Sequence, residues 1–312
     1  MNRLRWVSIG IRAIGLALLV IGLAGCEQEQ PKAVTLANRA PLSADAQPSS
    51  RTKLNLAVGS IITPEQGYAY YQQLIDYLAE SFSLDITIVD PGNYDKLNYL
   101  LETGKVDVAF VCSSPYVEGH QRFGLELLAA PVVNGAPVYY SDLIVPAGSP
   151  VQTLADLRGK TFAFTDPNSN SGSLVPKAQL ARMGVTAKDF FLSTTYTYAH
   201  DRSIHAVAEG LVEGAAVDSL IYDYLAATEP ELNTRVRIVE RYGPYGIPPV
   251  VAAPHVAAEL RETVRQGLLT MHETPKGREI LQAMHIERFE TIDDSAYESV
   301  RQLLTPVSPD SR

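Results

Sequence analysis

Thr161-Phe-Ala-Phe-Thr-Asp-Pro-Asn-Ser-Asn-Ser-Gly-Ser-Leu-Val-Pro176 decides how this chain is read. An alternating β-rich run, Thr161 to Thr165, stops at Asp166-Pro167. A cluster of hydroxyls, an amide and a glycine follows, and Ala178 to Met183 then reads as a helix. The order is strand, tight loop, helix N-terminus. Such a terminus carries unpaired N–H groups at the positive end of a dipole and so favours an anion. Ser169, Asn170, Ser171 and Ser173 add side-chain donors around Gly172. The same residue types also serve as ordinary N-caps, so the loop supports both a binding and a structural reading.

Strand and helix alternate on both sides of this stretch. Upstream, Lys53 to Gly59, Leu84 to Val89 and Val106 to Cys112 read as strands, and the last is almost wholly apolar, as a strand buried on both faces would be. Ser113-Ser114-Pro115-Tyr116-Val117 opens a helix with proline near its first turn. Downstream, a strand-like run from Phe191 to Tyr198 ends at His200-Asp201, with a helix from Ser203. Gly214 to Asp218 is a buried strand leading into a helix at Ser219. The alternation predicts an α/β protein of two lobes, each a mainly parallel sheet flanked by helices. Breaks near 142–150 and 243–250 assign residues 53–142 plus 248–312 to lobe 1 and 143–247 to lobe 2. Ligands in such sheets bind beyond the carboxyl ends of strands. The candidate loops are Ser60–Gln66, Cys112–Tyr116, Asp166–Ser173, Thr195–Asp201 and Asp218–Ser219.

The first residues are a targeting segment. Arg3, Arg5 and Arg12 precede and punctuate an apolar run, Ala13 to Ala24, that is too short for a stable membrane span. It ends in Leu23-Ala24-Gly25-Cys26, which looks like a bacterial lipobox, with Cys26 the lipidated residue. Residues 1–25 are therefore expected to be a lipoprotein signal peptide, and 26–52, rich in Gln, Pro and Ser, a flexible tether to the membrane. Without residues 1–25 the chain carries 23 basic and 35 acidic residues, a net charge of −12. So acidic a protein argues against nucleic acid as a partner, and any anion must be held by local donors. Cys112 is the other cysteine of the chain, so a lipidated Cys26 leaves it without an intrachain partner.

Catalytic signatures are missing. Leu154 stands where a P-loop ending in Gly159-Lys160-Thr161 needs glycine, and neither His-Glu-x-x-His nor Gly-x-Ser-x-Gly occurs. His200, Asp201 and His205 lack the cysteine or second carboxylate of a metal site, so a ligand-facing or capping role fits them better. No enzyme, metal or cofactor is expected.

Asp166-Pro-Asn-Ser-Asn-Ser-Gly-Ser-Leu-Val-Pro176 resembles the Asp-Pro-x-Ser-Thr-Ser-Gly-Tyr-Leu-x-Pro stretch of phosphonate/phosphite/phosphate-type periplasmic binding proteins of ABC transporters. Val106-Asp-Val-Ala-Phe110 with Pro115-Tyr116-Val117, His200-Asp201, Gly210-x-x-x-Gly214-Ala-Ala-Val217, Pro248-Pro-Val-Val251 and Glu287-Arg-Phe289 agree in order. The likeness spans about residues 53–305. It implies a type II binding-protein fold whose lobes close on a small oxyanion. Ser169, Asn170 and Ser171 would then donate, Tyr116 and His200 would line the cleft, and Asp201 or Asp218 would accept from a protonated ligand oxygen. Asn170, Ser173 and Cys112-Ser113-Ser114 depart from the family's usual Thr, aromatic and Gly-Pro-like turn. A thiol at a strand's carboxyl end suits a soft centre, or else is a small apolar packing residue. The expected function is a lipid-anchored, cell-envelope protein that captures an oxyanion for an ABC permease. The alternative is a periplasmic sensor, for example of arsenite through Cys112, that signals to a membrane histidine kinase.

Overall fold

Phe162 and Phe164 lie on one face of a short strand and Ala163 on the other, and that two-residue period sorts a whole lobe. The computed structural model describes residues 51–59 and 64–304, with the backbone alone over 64–70. The signal segment, most of the tether, Cys26 and Ser60 lie outside the described residues.

The chain runs β1 (Thr52–Val58), α1 (Pro64–Ser81), β2 (Leu84–Val89), α2 (Tyr94–Glu102), β3 (Val108–Phe110), α3 (Ser113–Phe123) and β4 (Glu126–Val132). It then passes to a second sheet through β5 (Val138–Pro146), β6 (Thr161–Phe164), α4 (Val175–Arg182), α5 (Ala187–Phe190), β7 (Ser193–Tyr196) and α6 (His200–Ala208). β8 (Gly214–Asp218), α7 (Ser219–Thr228), α8 (Leu232–Arg235) and β9 (Val236–Gly246) complete that sheet. The return is β10 (Val250–Ala252), α9 (Ala258–Leu269), α10 (Pro275–Ala283), β11 (Arg288–Glu290) and α11 (Glu298–Leu304).

Two mixed sheets result, ordered β11-β4-β10-β3-β1-β2 and β7-β6-β8-β5-β9. The two flanked sheets agree with the sequence reading: four of the six strands of the first sheet and four of the five strands of the second run in one direction, with antiparallel strands inserted among them. β1 pairs in parallel with β2 and β3, whereas β10 runs against both β3 and β4, and β11 runs against β4. In the second sheet β6 is parallel to β7 and β8, and β5 is antiparallel to β8 and β9. The cause is the double crossing: β10 re-enters the first sheet from the second lobe and must run against its neighbours. The first crossing lies between β4 and β5, ahead of residue 142, because β5 belongs wholly to the second sheet.

Each lobe has its own core. Leu54, Leu56, Val108, Ala109, Val251 and Leu268 are fully buried in the first. In the second, Leu143, Val145, Phe162 and Phe164 pack on one face of the sheet and Ile144, Ala163, Ala215 and Val217 on the other. Phe162 stacks on Phe191 at 4.4 Å between ring centroids. The fronts of both sheets are thereby fixed, and the loops at their strand ends face each other.

Candidate functional site

The stretch after β6 folds as a wide turn before α4 begins. Residues Asn170–Leu174 form one π-helical turn, with the Leu174 N–H donating to the Ser169 carbonyl at 2.9 Å. Such turns recur at functional sites because they widen the helix opening. Ser169 caps the turn, its Oγ accepting from the Gly172 N–H at 3.0 Å. The Thr165 N–H donates to the Gly172 carbonyl at 3.2 Å and clamps the loop to the strand end. Only glycine fits at 172: a Cβ there would lie 1.9 Å from Thr165 Oγ1.

This loop is fully buried and incompletely satisfied. Ser169, Asn170, Ser171 and Ser173 have no exposed surface. Thr165 Oγ1, Asn170 Oδ1, Ser171 Oγ and Ser173 Oγ have no hydrogen-bond partner. Buried polar atoms in native proteins are nearly always paired, so four on one loop point to a group the site is built to receive.

Helix N-termini gather around the loop. The α6 N-terminus brings His200, whose Nδ1 accepts from the Asp218 N–H at 2.9 Å and whose Nε2 lies 3.5 Å from Ser169 Oγ. The Nδ1 acceptor role leaves the proton on Nε2, and burial pulls the pKa of His200 down to about 3. His200 is thus a neutral donor directed at the loop. Asp218 caps α7, accepting from the Leu220 N–H at 2.8 Å. Burial pushes its carboxyl up to about 7, with the Leu220 amide opposing and Asp142 adding to the rise. From lobe 1, the Tyr94 N–H at the start of α2 donates to Asp166 Oδ2 at 3.1 Å, and Asp95 accepts from Asn168 Nδ2 at 2.6 Å. Cys112 caps α3, and the Asn170 amide of the opposite lobe lies against its sulfur.

The structure brings most of the expected residues together. Asn170 Nδ2 donates to the Tyr139 hydroxyl at 2.9 Å, and Tyr139 in turn lies against Cys112. Burial pushes the Cys112 thiol up to about 11, so it is protonated, and it packs with Tyr94 and Ile221. Ser113 Oγ donates to the Gly246 carbonyl at 2.6 Å, which commits it to the backbone, and Ser114 is buried in the first turn of α3. Asp201 is buried in the first turn of α6, which begins at His200 and is capped by Ala199, three residues before the start read from the sequence. Tyr116 is buried, but its hydroxyl donates to Asp294 at 2.6 Å and its ring packs on Tyr297 at 4.6 Å. That hydroxyl is spent inside lobe 1. His205 faces Glu229 at 3.6 Å, away from His200's partners.

Several neighbours had no local signal. Tyr139 stands at the start of an apolar strand, and Thr165 reads as the end of one. Asp166 and Asn168 belong to the candidate loop read from the sequence, but their reach across to lobe 1 is visible only in the fold.

The comparisons with known proteins agree with this geometry. A family model described as the periplasmic substrate-binding protein of phosphonate ABC transporters matches residues 56–297. The phosphonates-binding periplasmic protein of Escherichia coli is 28% identical over 205 residues, covering 64% of this chain and 60% of that protein. The phosphate-import protein PhnD of Mycolicibacterium smegmatis is 30% identical over 164 residues, covering 49% of this chain and 51% of its own. The chain therefore matches less than two thirds of the length of these curated relatives. In fold it is similar to a binding-protein component of an ABC phosphonate transporter from Pseudomonas aeruginosa, with a TM-score of 0.75 at 23% identity over 81% of this chain and 86% of that one. PhnD1 of Prochlorococcus marinus, solved with methylphosphonate, gives 0.73 at 16% identity over 81% and 97%. With two lobes, a donor-lined loop between them and a family match over most of its length, the chain belongs to the phosphonate family of periplasmic substrate-binding proteins of ABC transporters.

Proposed function

We propose that this protein captures a small tetrahedral oxyanion, a phosphonate, phosphite or phosphate-like ion, between its lobes and delivers it to an ABC permease from a lipid anchor at Cys26 in the cell envelope. The observation that carries the reading is the set of three unpartnered buried hydroxyls at Thr165, Ser171 and Ser173, with the unpartnered Asn170 Oδ1 beside them as an acceptor for a protonated ligand oxygen. An anion accepts from hydroxyl and N–H donors, and such charge-assisted bonds are short and strong. Asp218, with its raised pKa, offers an acceptor or a donor according to the ligand's own protonation. Nothing here calls for catalysis: closure replaces the anion's water shell with fixed donors.

Cys112 fits a packing role better than a sensing one. Its thiol is protonated and buried, with no second cysteine beside it among the described residues, whereas a soft centre needs thiolate. The test is calorimetric titration of the full-length protein with methylphosphonate, phosphite, phosphate and arsenite, beside Ser171→Ala and Cys112→Ser. Binding of a phosphorus oxyanion that weakens about tenfold or more in Ser171→Ala, the worth of one hydrogen bond to charge, is expected. Arsenite binding that vanishes in Cys112→Ser would replace this reading with the sensor.

A further inference from the structure

Three consecutive residues of β5 support the donor loop and the start of α7. The Tyr139 hydroxyl accepts from Asn170 Nδ2 at 2.9 Å, the Tyr140 N–H donates to Ser219 Oγ at 3.0 Å, and Ser141 Oγ donates to the Ser171 carbonyl at 2.7 Å. Tyr139 and Ser141 stand two apart on the strand, so both side chains leave the same face, and both are fully buried. The pairing of β5 with β9 shifts register between these two residues, the kind of irregularity that re-aims side chains beside a functional site. On its other side Ser141 pairs with Asp218 of β8, so one strand ties the donor loop to the α7 cap.

The peptide unit between Ser171 and Gly172 is gripped at both ends. Its carbonyl accepts from Ser141 Oγ, and its N–H donates to Ser169 Oγ at 3.0 Å. Tyr139 holds the side chain of the preceding residue, Asn170. With the chain fixed before and after it, the Cα–Cβ bond of Ser171 has one direction, and the hydroxyl it carries is buried without a partner. We infer that Ser141 is a positioning residue for oxyanion binding: its own proton is committed to the Ser171 carbonyl, and by holding that carbonyl it aims the Ser171 hydroxyl at the ligand. The inference rests on the oxyanion reading above. A donor already fixed in its bound orientation loses little freedom when the anion arrives, and that raises affinity without any contact from Ser141 itself.

The test is a mutant cycle read by calorimetric titration of the full-length protein with methylphosphonate, phosphite and phosphate, at a temperature where every variant is folded by its thermal midpoint. Ser141→Ala should weaken binding by about fivefold, the worth of one hydrogen bond. In a Ser171→Ala background the same substitution should cost less than about twofold, because the hydroxyl it aims is gone; residues that act as a unit are non-additive in this way. Ser141→Thr keeps the hydroxyl at a strand position that suits a β-branched residue, and it should bind within about twofold of the parent. If threonine does not fold there, Ser141→Cys, with its weaker donor, should fall between the parent and Ser141→Ala. Parental affinity in Ser141→Ala, or equal losses in the two backgrounds, would overturn the inference while the oxyanion reading stands. A folded Ser141→Thr that binds as poorly as Ser141→Ala would overturn it too, since packing and not the hydroxyl would then set the affinity. If the parent binds no phosphorus oxyanion, the oxyanion reading falls and this one with it.

Discussion

Asp218→Asn separates the electrostatic cost of the site from its architecture. In the fold the Asp218 carboxyl is buried and titrates near 7, against about 3.9 in an unfolded chain. Its folded form holds the proton more tightly, so between those values the folded state binds more protons than the unfolded state. Stability therefore falls as pH rises from about 4 to about 7 and is level above that. The whole span corresponds to about 4 kcal/mol, of which about 2.5 kcal/mol is lost between pH 5 and pH 8. Asparagine keeps an oxygen to accept from the Leu220 N–H and is itself a good N-cap, so the α7 start survives. The variant should be more stable than its parent at both values, and the gap should widen by about 2.5 kcal/mol from pH 5 to pH 8. In a ligand-free thermal melt that is on the order of 5–10 °C for a domain of this size. A gap that stays constant with pH would show that Asp218 does not carry its proton in the fold, and the assignment would be wrong.

Gly172→Ala should destabilise the second lobe by about 1–3 kcal/mol, because the new methyl meets Thr165 Oγ1 at 1.9 Å with no room to retreat. The loss of oxyanion affinity should exceed what stability alone predicts, and calorimetry at a temperature where the variant is folded reads it. Tyr116→Phe removes the 2.6 Å bond to Asp294 and should cost about 1–3 kcal/mol in urea denaturation. Affinity for methylphosphonate should be unchanged, and a tenfold loss would return Tyr116 to the site.

Local pattern carried much of this fold. The Phe162-Ala163-Phe164 alternation sorts the faces of the second sheet, and Asp166 to Pro176 marks the loop at its front, because both depend on neighbours within a few residues. Strand direction is different. Val250-Val251-Ala252 is equally apolar whether it runs with or against β3, and only the return of the chain from lobe 2 decides that it is antiparallel. Long-range side-chain choices were equally hidden. Tyr116 finds Asp294, 178 residues away, and Tyr139 reaches Asn170 only once β5 has been laid beside β8. The same holds for Asp166, whose carboxylate caps α2 of the other lobe.

That last contact bears on how an acidic chain can hold an anion at all. With a net charge of −9 over the full sequence, the long-range field repels the ligand, so attraction must be local. The proposed site would supply it without a lysine or arginine among the residues placed at the loop. There, hydroxyls, backbone amides at helix starts and a histidine kept neutral by burial would attract the ligand, and these are effective only where water is excluded. Two carboxylates at the loop are engaged by helix-start amides, Asp166 at α2 and Asp218 at α7, which offsets much of their charge. Because the Asp166 cap crosses from one lobe to the other, the same bond that tames a carboxylate also holds the lobes together. Opening the cleft would expose that carboxylate and the α2 N-terminus to water together, so closure and the local field rise and fall as one event.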